Sequence, residues 1–304
     1  MIRIGMLGFS EGNGHPYSFS AILNGYDPDA FGKCGWPVIR DYLARRPASE
    51  FVLGDARVTR VWMPDRAMAN ALASACRVEK AVDTPDAMLT DVDAMIVARD
   101  DADSHLALAR PFLERGVPVF VDKPLTLDPS ALEWFSPYLD SGLLMSCSGL
   151  RYAAELDSIA ASLGDFGGVL ALRGAVVNEW DRYAIHALEP GLALTGAKVR
   201  SVRRLNARHA AFVANLDDGG TFAIDMLGPR APVINLSVLG AARVVSVDIR
   251  DNFTAFRRCM IAFLGMIETR RPPIDPAITR NVIGALIAGC AAAPGGPAVE
   301  VEQG

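Results

Sequence analysis

Histidine and cysteine are scarce in this chain, with four and five residues among 304. No two histidines stand at metal-ligand spacing, so no zinc site is expected. The cysteines, Cys34, Cys76, Cys147, Cys259 and Cys290, are scattered, odd in number and without a C-x-x-C pair. They fit small core hydrophobes in a reducing, cytoplasmic setting rather than a disulfide framework. Positive charge is short too. Thirty Lys and Arg against thirty-five Asp and Glu leave a net charge of −5. That gives no surplus to neutralise phosphates, which argues against a nucleic-acid partner. Long apolar runs are missing. The longest, Val282 to Ala293, has 12 residues and stops at Pro294. A bilayer span needs ~20, so this run reads as a buried helix and no membrane partner is expected. Met1 to Gly8 lacks the apolar core of a secretory signal. Internal repeats and low-complexity tracts are absent.

What is present is an ordinary globular composition, 51% hydrophobic and 21% charged. The length fits about two domains. Up to about residue 124, strand and helix patterns alternate. Ile2–Gly8, Val58–Trp62, Asp93–Ala98 and Val117–Val121 read as strands, with Leu143–Cys147 a further one. Tyr17–Leu23, Asp65–Cys76 and Ser104–Glu114 read as helices, and Thr84-Pro85 as a helix start. This alternation predicts a parallel sheet covered by helices, as in dinucleotide-binding folds. Beyond about residue 150 strand patterns follow one another: Val169–Val177, Arg200–Leu205, Ala211–Leu216, Thr221–Met226, Val233–Val238 and Arg243–Val247. Asp217-Asp218-Gly219-Gly220 is a hairpin turn. Ala184–Leu194 reads as a helix interrupted by Pro190, and two helices, about 253–269 and 276–292, close the chain. The expected architecture is α/β: a dinucleotide-binding domain over 1–124 and an α+β domain with an open, mainly antiparallel sheet over 125–304. The last helices are allowed to pack back on the first domain. Asp27–Arg46 lies outside this pattern and reads as an insertion placed to cover a ligand.

Several segments carry chemistry. The turn after the first strand holds Gly8, Ser10, Gly12, Asn13, Gly14 and His15. A pyrophosphate needs a tight turn, close backbone approach and a helix N-terminus, all at this place. The spacing departs from G-x-G-x-x-G, because Ser10 and Asn13 stand at the second and third glycine positions. Asp65 and Arg66, after the second strand, are the candidates for the adenosine ribose, with Asp65 equally suited to cap a helix. Arg99, Asp100 and His105 follow the fourth strand, on an expected cofactor edge. Asp122-Lys123-Pro124 closes the fifth, where parallel sheets bind ligands. A lysine there can hold a substrate hydroxyl and tune its acidity.

With these pieces in order, the chain resembles the glucose–fructose oxidoreductase / inositol dehydrogenase (Gfo/Idh/MocA) family. The match rests on the glycine turn, the D-A-x-x-x-A strand and helix with His105, Asp122-Lys123-Pro124 for the family's Glu-Lys-Pro, and His186. The resemblance implies NAD or NADP as cofactor and a sugar, cyclitol or polyol as substrate. It also implies a second domain that carries substrate contacts and mediates a homodimer or homotetramer. Lys123 and His186 are then the expected catalytic pair. The family's usual Asp four residues before the histidine is replaced here by Arg182, with Asp181 about 100° around a helix. Glu189, three residues on, is placed to orient or acidify His186. Tyr183 and Arg151 complete the expected substrate contacts. Arg99, Lys123, Arg151 and Arg182 form a cationic set that suggests an anionic sugar. Two other readings remain: a redox-neutral sugar enzyme that retains its cofactor, and a non-catalytic binding protein on the same fold.

Overall fold

The computed structural model describes residues 1–230 and 233–302. Backbone packing divides the chain into two units. The first comprises Met1–Asp122, Pro137–Ser146 and Phe256–Pro273; the second comprises Lys123–Ser136, Cys147–Ala255 and the chain from Ile274. The expected boundary near 124 lies next to the end of the first segment at Asp122. The chain leaves the first unit at Asp122 but returns to it twice.

In the first unit, β1 (Ile2–Leu7) leads through the glycine turn to α1 (His15–Asn24). Two short helices follow, α2 (Pro28–Phe31) and α3 (Pro37–Ala44), and then β2 (Ala56–Trp62), α4 (Arg66–Ala75), β3 (Lys80–Ala81), β4 (Ala94–Val97), α5 (His105–Leu113) and β5 (Val119–Val121). Helix α6 (Pro129–Asp140) and β6 (Leu144–Ser146) come next. The six strands lie parallel in the order β3-β2-β1-β4-β5-β6. This is the doubly wound order, with its reversal between β1 and β4. All four residues of β4 are buried, as expected of a strand covered on both faces. Thr84-Pro85 starts only a short 3-10 turn over Pro85–Met88. The 27–46 segment is α2 and α3, held to α1 by a hydrogen bond between the Tyr42 and Ser18 hydroxyls.

In the second unit, α7 (Asp157–Ala161) precedes β7 (Val169–Val176), followed by α8 (Trp180–Tyr183) and α9 (Ile185–Thr195). Strands β8 (Val199–Arg204), β9 (Ala210–Leu216), β10 (Thr221–Met226), β11 (Asn235–Gly240) and β12 (Val244–Asp248) come next. Helices α10 (Asn252–Thr269) and α11 (Pro276–Ala291) and strand β13 (Val299–Glu300) complete the described elements. The seven strands run β12-β11-β7-β10-β9-β8-β13. Every pairing is antiparallel except β10 with β7, where Thr221 faces Ala171 and Met226 faces Val176. The two strands are not consecutive, so a crossover rather than a hairpin joins them. Asp217–Gly220 does make the hairpin between β9 and β10.

Pro190 was expected to interrupt its helix, yet α9 runs through it. The helix forgoes one bond, from the proline's missing N–H to the His186 carbonyl. The closing helices divide their loyalties. From Phe256 onward α10 belongs to the first unit. There Phe256 and Phe263 join Phe19 and Phe120 in an aromatic core with ring centroids 5.4–5.8 Å apart. Helix α11 stays in the second unit, where Asn281 bonds both the N–H and the carbonyl of Val199 on β8 at 2.8 Å.

Candidate active site

Lys123 and His186 both lie in the second unit and both are buried, at 2% and 7% exposure. Tyr183 stands between them. The Lys123 Nζ lies over its ring, 4.8 Å from the centroid. The His186 ring meets it edge-on at 5.4 Å. Nζ also donates to the Arg182 carbonyl at 3.2 Å. Two residues 63 positions apart in sequence are therefore gathered around one short helix, α8. The Lys123–Pro124 peptide is cis.

One partner of His186 is Ser148, which the sequence reading did not pick out. His186 Nδ1 and Ser148 Oγ are 2.8 Å apart, with Ser148 wholly buried. The only signal was position: Ser148 follows β6, where crevice loops begin. Glu189, expected to orient His186, is committed to Arg151 instead, at 3.1 Å. Burial pushes the Glu189 carboxyl up from its ordinary value, and Arg151 pulls it back down. Asp181 accepts the backbone N–H of the adjacent Arg182 at 2.9 Å.

Helix α8 has only four residues, too short to hold itself. Trp180 anchors it. Its Nε1 donates to the Leu286 carbonyl at 2.9 Å, and its ring stacks on Phe212 at 4.0 Å. Gly289 makes room: a Cβ there would overlap the indole. Neither Trp180 nor Gly289 stood out in sequence, because each acts through a contact made across about a hundred residues.

In the first unit, the sequence-predicted cofactor residues gather at the strand-order reversal. Ser10 Oγ donates to Asp100 at 2.5 Å and accepts the Asp100 N–H at 3.0 Å, tying the glycine turn to the end of β4. Asn13 accepts the His15 N–H at 2.8 Å and donates to Asp122 at 3.1 Å. His15 Nδ1 meets the same Asp122 carboxylate at 2.5 Å. The three glycines differ in purpose. A Cβ on Gly8 would meet Pro16 at 2.8 Å. A Cβ on Gly14 would overlap Ile39 and Trp36, so that glycine admits α3. Gly12, at φ +79°, faces open space. It is the point where the backbone leaves room for a ligand, so the turn fits a dinucleotide's pyrophosphate at Gly12.

The outer residues are engaged within the protein. Asp65 caps α4 by accepting from Ala67 and Met68, and Arg66 pairs with Asp83 at 2.7 Å. Arg99 pairs with Asp101 at 2.6 Å. His105, wholly buried, donates Nε2–H to the Arg99 carbonyl at 3.0 Å and braces the loop after β4. Among the described residues no group of three His, Cys, Asp or Glu side chains is placed to hold a metal. No helix among them is long and apolar enough to cross a membrane.

The model of an oxidoreductase family with an NAD-binding Rossmann fold, GFO_IDH_MocA, matches residues 31–136. The resemblance carried by the motifs is thereby borne out. The matched segment begins after the glycine turn, whose spacing is irregular. No curated protein matches the chain in sequence. Solved structures match it over nearly all its length. Scyllo-inositol dehydrogenase from Lactobacillus casei, solved with bound NAD(H) and scyllo-inositol, has a TM-score of 0.78 at 15% identity and covers 99% of each chain. Myo-inositol dehydrogenase from Corynebacterium glutamicum has a TM-score of 0.75 at 15% identity and covers 100% of each chain. UDP-N-acetylglucosamine 3-dehydrogenase from Acidithiobacillus ferrooxidans has a TM-score of 0.72 at 19% identity, covering 96% of this chain and 97% of its own.

Proposed function

We propose that this chain is an NAD(P)-dependent oxidoreductase acting on a CH–OH carbon of a sugar or polyol. The observation that carries the reading is the convergence of buried Lys123 and His186 on the Tyr183 ring. The nicotinamide dinucleotide, when bound, supplies the hydride donor or acceptor. The turn from Gly8 to Gly14 would hold it, with Gly12 at the pyrophosphate. Lys123 and His186 hold the substrate oxygen and handle its proton, and Tyr183 sets their spacing. Burial of both strengthens any hydrogen bond they make to that oxygen.

A neutral substrate is favoured over an anionic one. Arg99 and Arg151, half of the cationic set, are balanced by Asp101 and Glu189. The inositol named for one structural relative is a neutral polyol and supports the same class. Assembly as a homodimer or homotetramer belongs to this reading.

Calorimetry with NAD, NADH, NADP and NADPH tests the cofactor, and turnover of matched neutral and acidic sugars tests the substrate. Micromolar binding of one redox pair and preference for neutral polyols are expected. Binding of none of the four nucleotides would overturn the reading. Preference for the acids would overturn the substrate class.

A further inference from the structure

A hydroxyl group carries one hydrogen, and a buried one needs an acceptor for it. Ser148 is wholly enclosed. Its Oγ accepts the Leu150 N–H at 3.2 Å, which uses one lone pair. Among the described residues the acceptor within reach of its hydrogen is His186 Nδ1, at 2.8 Å. If Nδ1 carried a proton, the Ser148 hydrogen would point at a donor and stay unsatisfied in a dry site. We infer that Ser148 is a positioning residue that holds His186 neutral with its proton on Nε2.

The inference rests on the proposed oxidoreductase reading and divides the labour within it. A carboxylate at Nδ1 accepts only, which keeps the proton on Nδ1 and leaves Nε2 a base. The Ser148 hydroxyl has the opposite effect. Nε2–H becomes a fixed hydrogen-bond donor to the substrate oxygen, and proton transfer falls to Lys123. In carbonyl reduction a reduced nicotinamide dinucleotide, when bound, would supply the hydride to the carbon. The oxygen takes a proton from the Lys123 ammonium, giving CH–OH and a neutral amine, which recovers its proton from water. Arg182 in the place of the family's aspartate fits this arrangement, since no carboxylate then reaches Nδ1 from α8. The Tyr183 ring on α8 also meets His186, and Glu189 on its own helix is tied to Arg151.

With four histidines in the chain, long-range 1H–15N NMR on the full-length labelled protein resolves each imidazole, and H186Q assigns the signal. At about pH 8, above the usual imidazole range, His186 should show a bare, acceptor-type Nδ1 and a protonated Nε2. Ser148→Thr should keep that pattern because it keeps the hydroxyl. Ser148→Asp should invert it. Should Ser148→Asp fail to fold, Ser148→Ala serves, and the Nδ1–H form should then appear beside the other. A protonated Nδ1 in the unaltered protein overturns the inference, and so does a Ser148→Asp or Ser148→Ala spectrum identical to it. None of these readouts needs turnover. A failed tautomer assignment therefore leaves the oxidoreductase reading standing, and failed cofactor binding leaves the tautomer assignment standing.

Discussion

Arg151 Nη1 and Glu189 Oε2 are 3.1 Å apart, and Glu189 is 1% exposed. Removing one member of such a buried pair strands the other's charge, which costs about 3–5 kcal/mol. Arg151→Ala should destabilise the fold by that amount, measured by urea unfolding near neutral pH. Arg151→Met with Glu189→Leu, which removes both charges, should recover most of it. A full loss in the double variant would mean that packing, and not charge, is the cause.

The same pair sets a pH dependence. Burial raises the folded-state pKa of Glu189 above 4.5, against the pull of Arg151. Between 4.5 and the raised value the folded protein binds more protons than the unfolded chain. The contribution of Glu189 to stability is therefore full below about pH 4.5 and falls as pH rises through the folded value. Glu189→Gln should flatten that part of the stability profile. An unchanged slope would place the titration elsewhere.

Lys123→Ala should lower turnover by about 10²–10⁴-fold, the usual range for an acid–base group, and His186→Ala by about 10²–10³-fold, the usual loss for one hydrogen-bond donor to the reacting oxygen. Far-UV circular dichroism should be unchanged. Near-normal rates in both would remove them from the chemistry. Tyr183→Phe keeps the ring that both residues touch, so it should retain far more activity than Tyr183→Ala.

Gly289→Ala should displace the Trp180 indole and with it α8. The expected cost is about 1–3 kcal/mol, typical of overpacking, together with a drop in turnover. Trp180 fluorescence reports the displacement directly. Gly265→Ala, on helix α10 with open space at its Cβ, is the control and should leave both unchanged.

Gly12→Val should weaken dinucleotide binding in calorimetry while the protein stays folded. Its φ of +79° strains a branched side chain, and that side chain would fill the only one of the turn's three glycine positions that faces open space. Asp65→Ala should cost about 1 kcal/mol for the lost cap of α4. If dinucleotide affinity also falls sharply, Asp65 touches the ligand as well.

Periodicity carried the sheets. The run Asp93–Ala98 announced a strand, and Asp217–Gly220 a hairpin, because each signal is local. The parallel β7–β10 pairing was not legible, since sequence adjacency favours hairpins and this contact skips two strands. Pro190 misled because its cost was weighed alone, while the surrounding helix is buried and fixed by its neighbours. At the candidate site, Lys123 and His186 were singled out by position and family pattern, and both lie against Tyr183. Ser148 was not: a single serine carries no spacing signal, and its meaning comes from which nitrogen it faces. Glu189 was placed on the correct face of α9, but Arg151 was its partner.

The chain passes between its units five times, and this sets an order of events during synthesis. The first sheet lacks its edge strand until residue 146 is made, and its aromatic core lacks Phe256 and Phe263 until residue 273. The second unit waits further, for α11 to bring Asn281 to β8. A ribosome must therefore release nearly the whole chain before either half can close. Truncation at 124 would yield an open, adhesive fragment rather than a separable nucleotide-binding module.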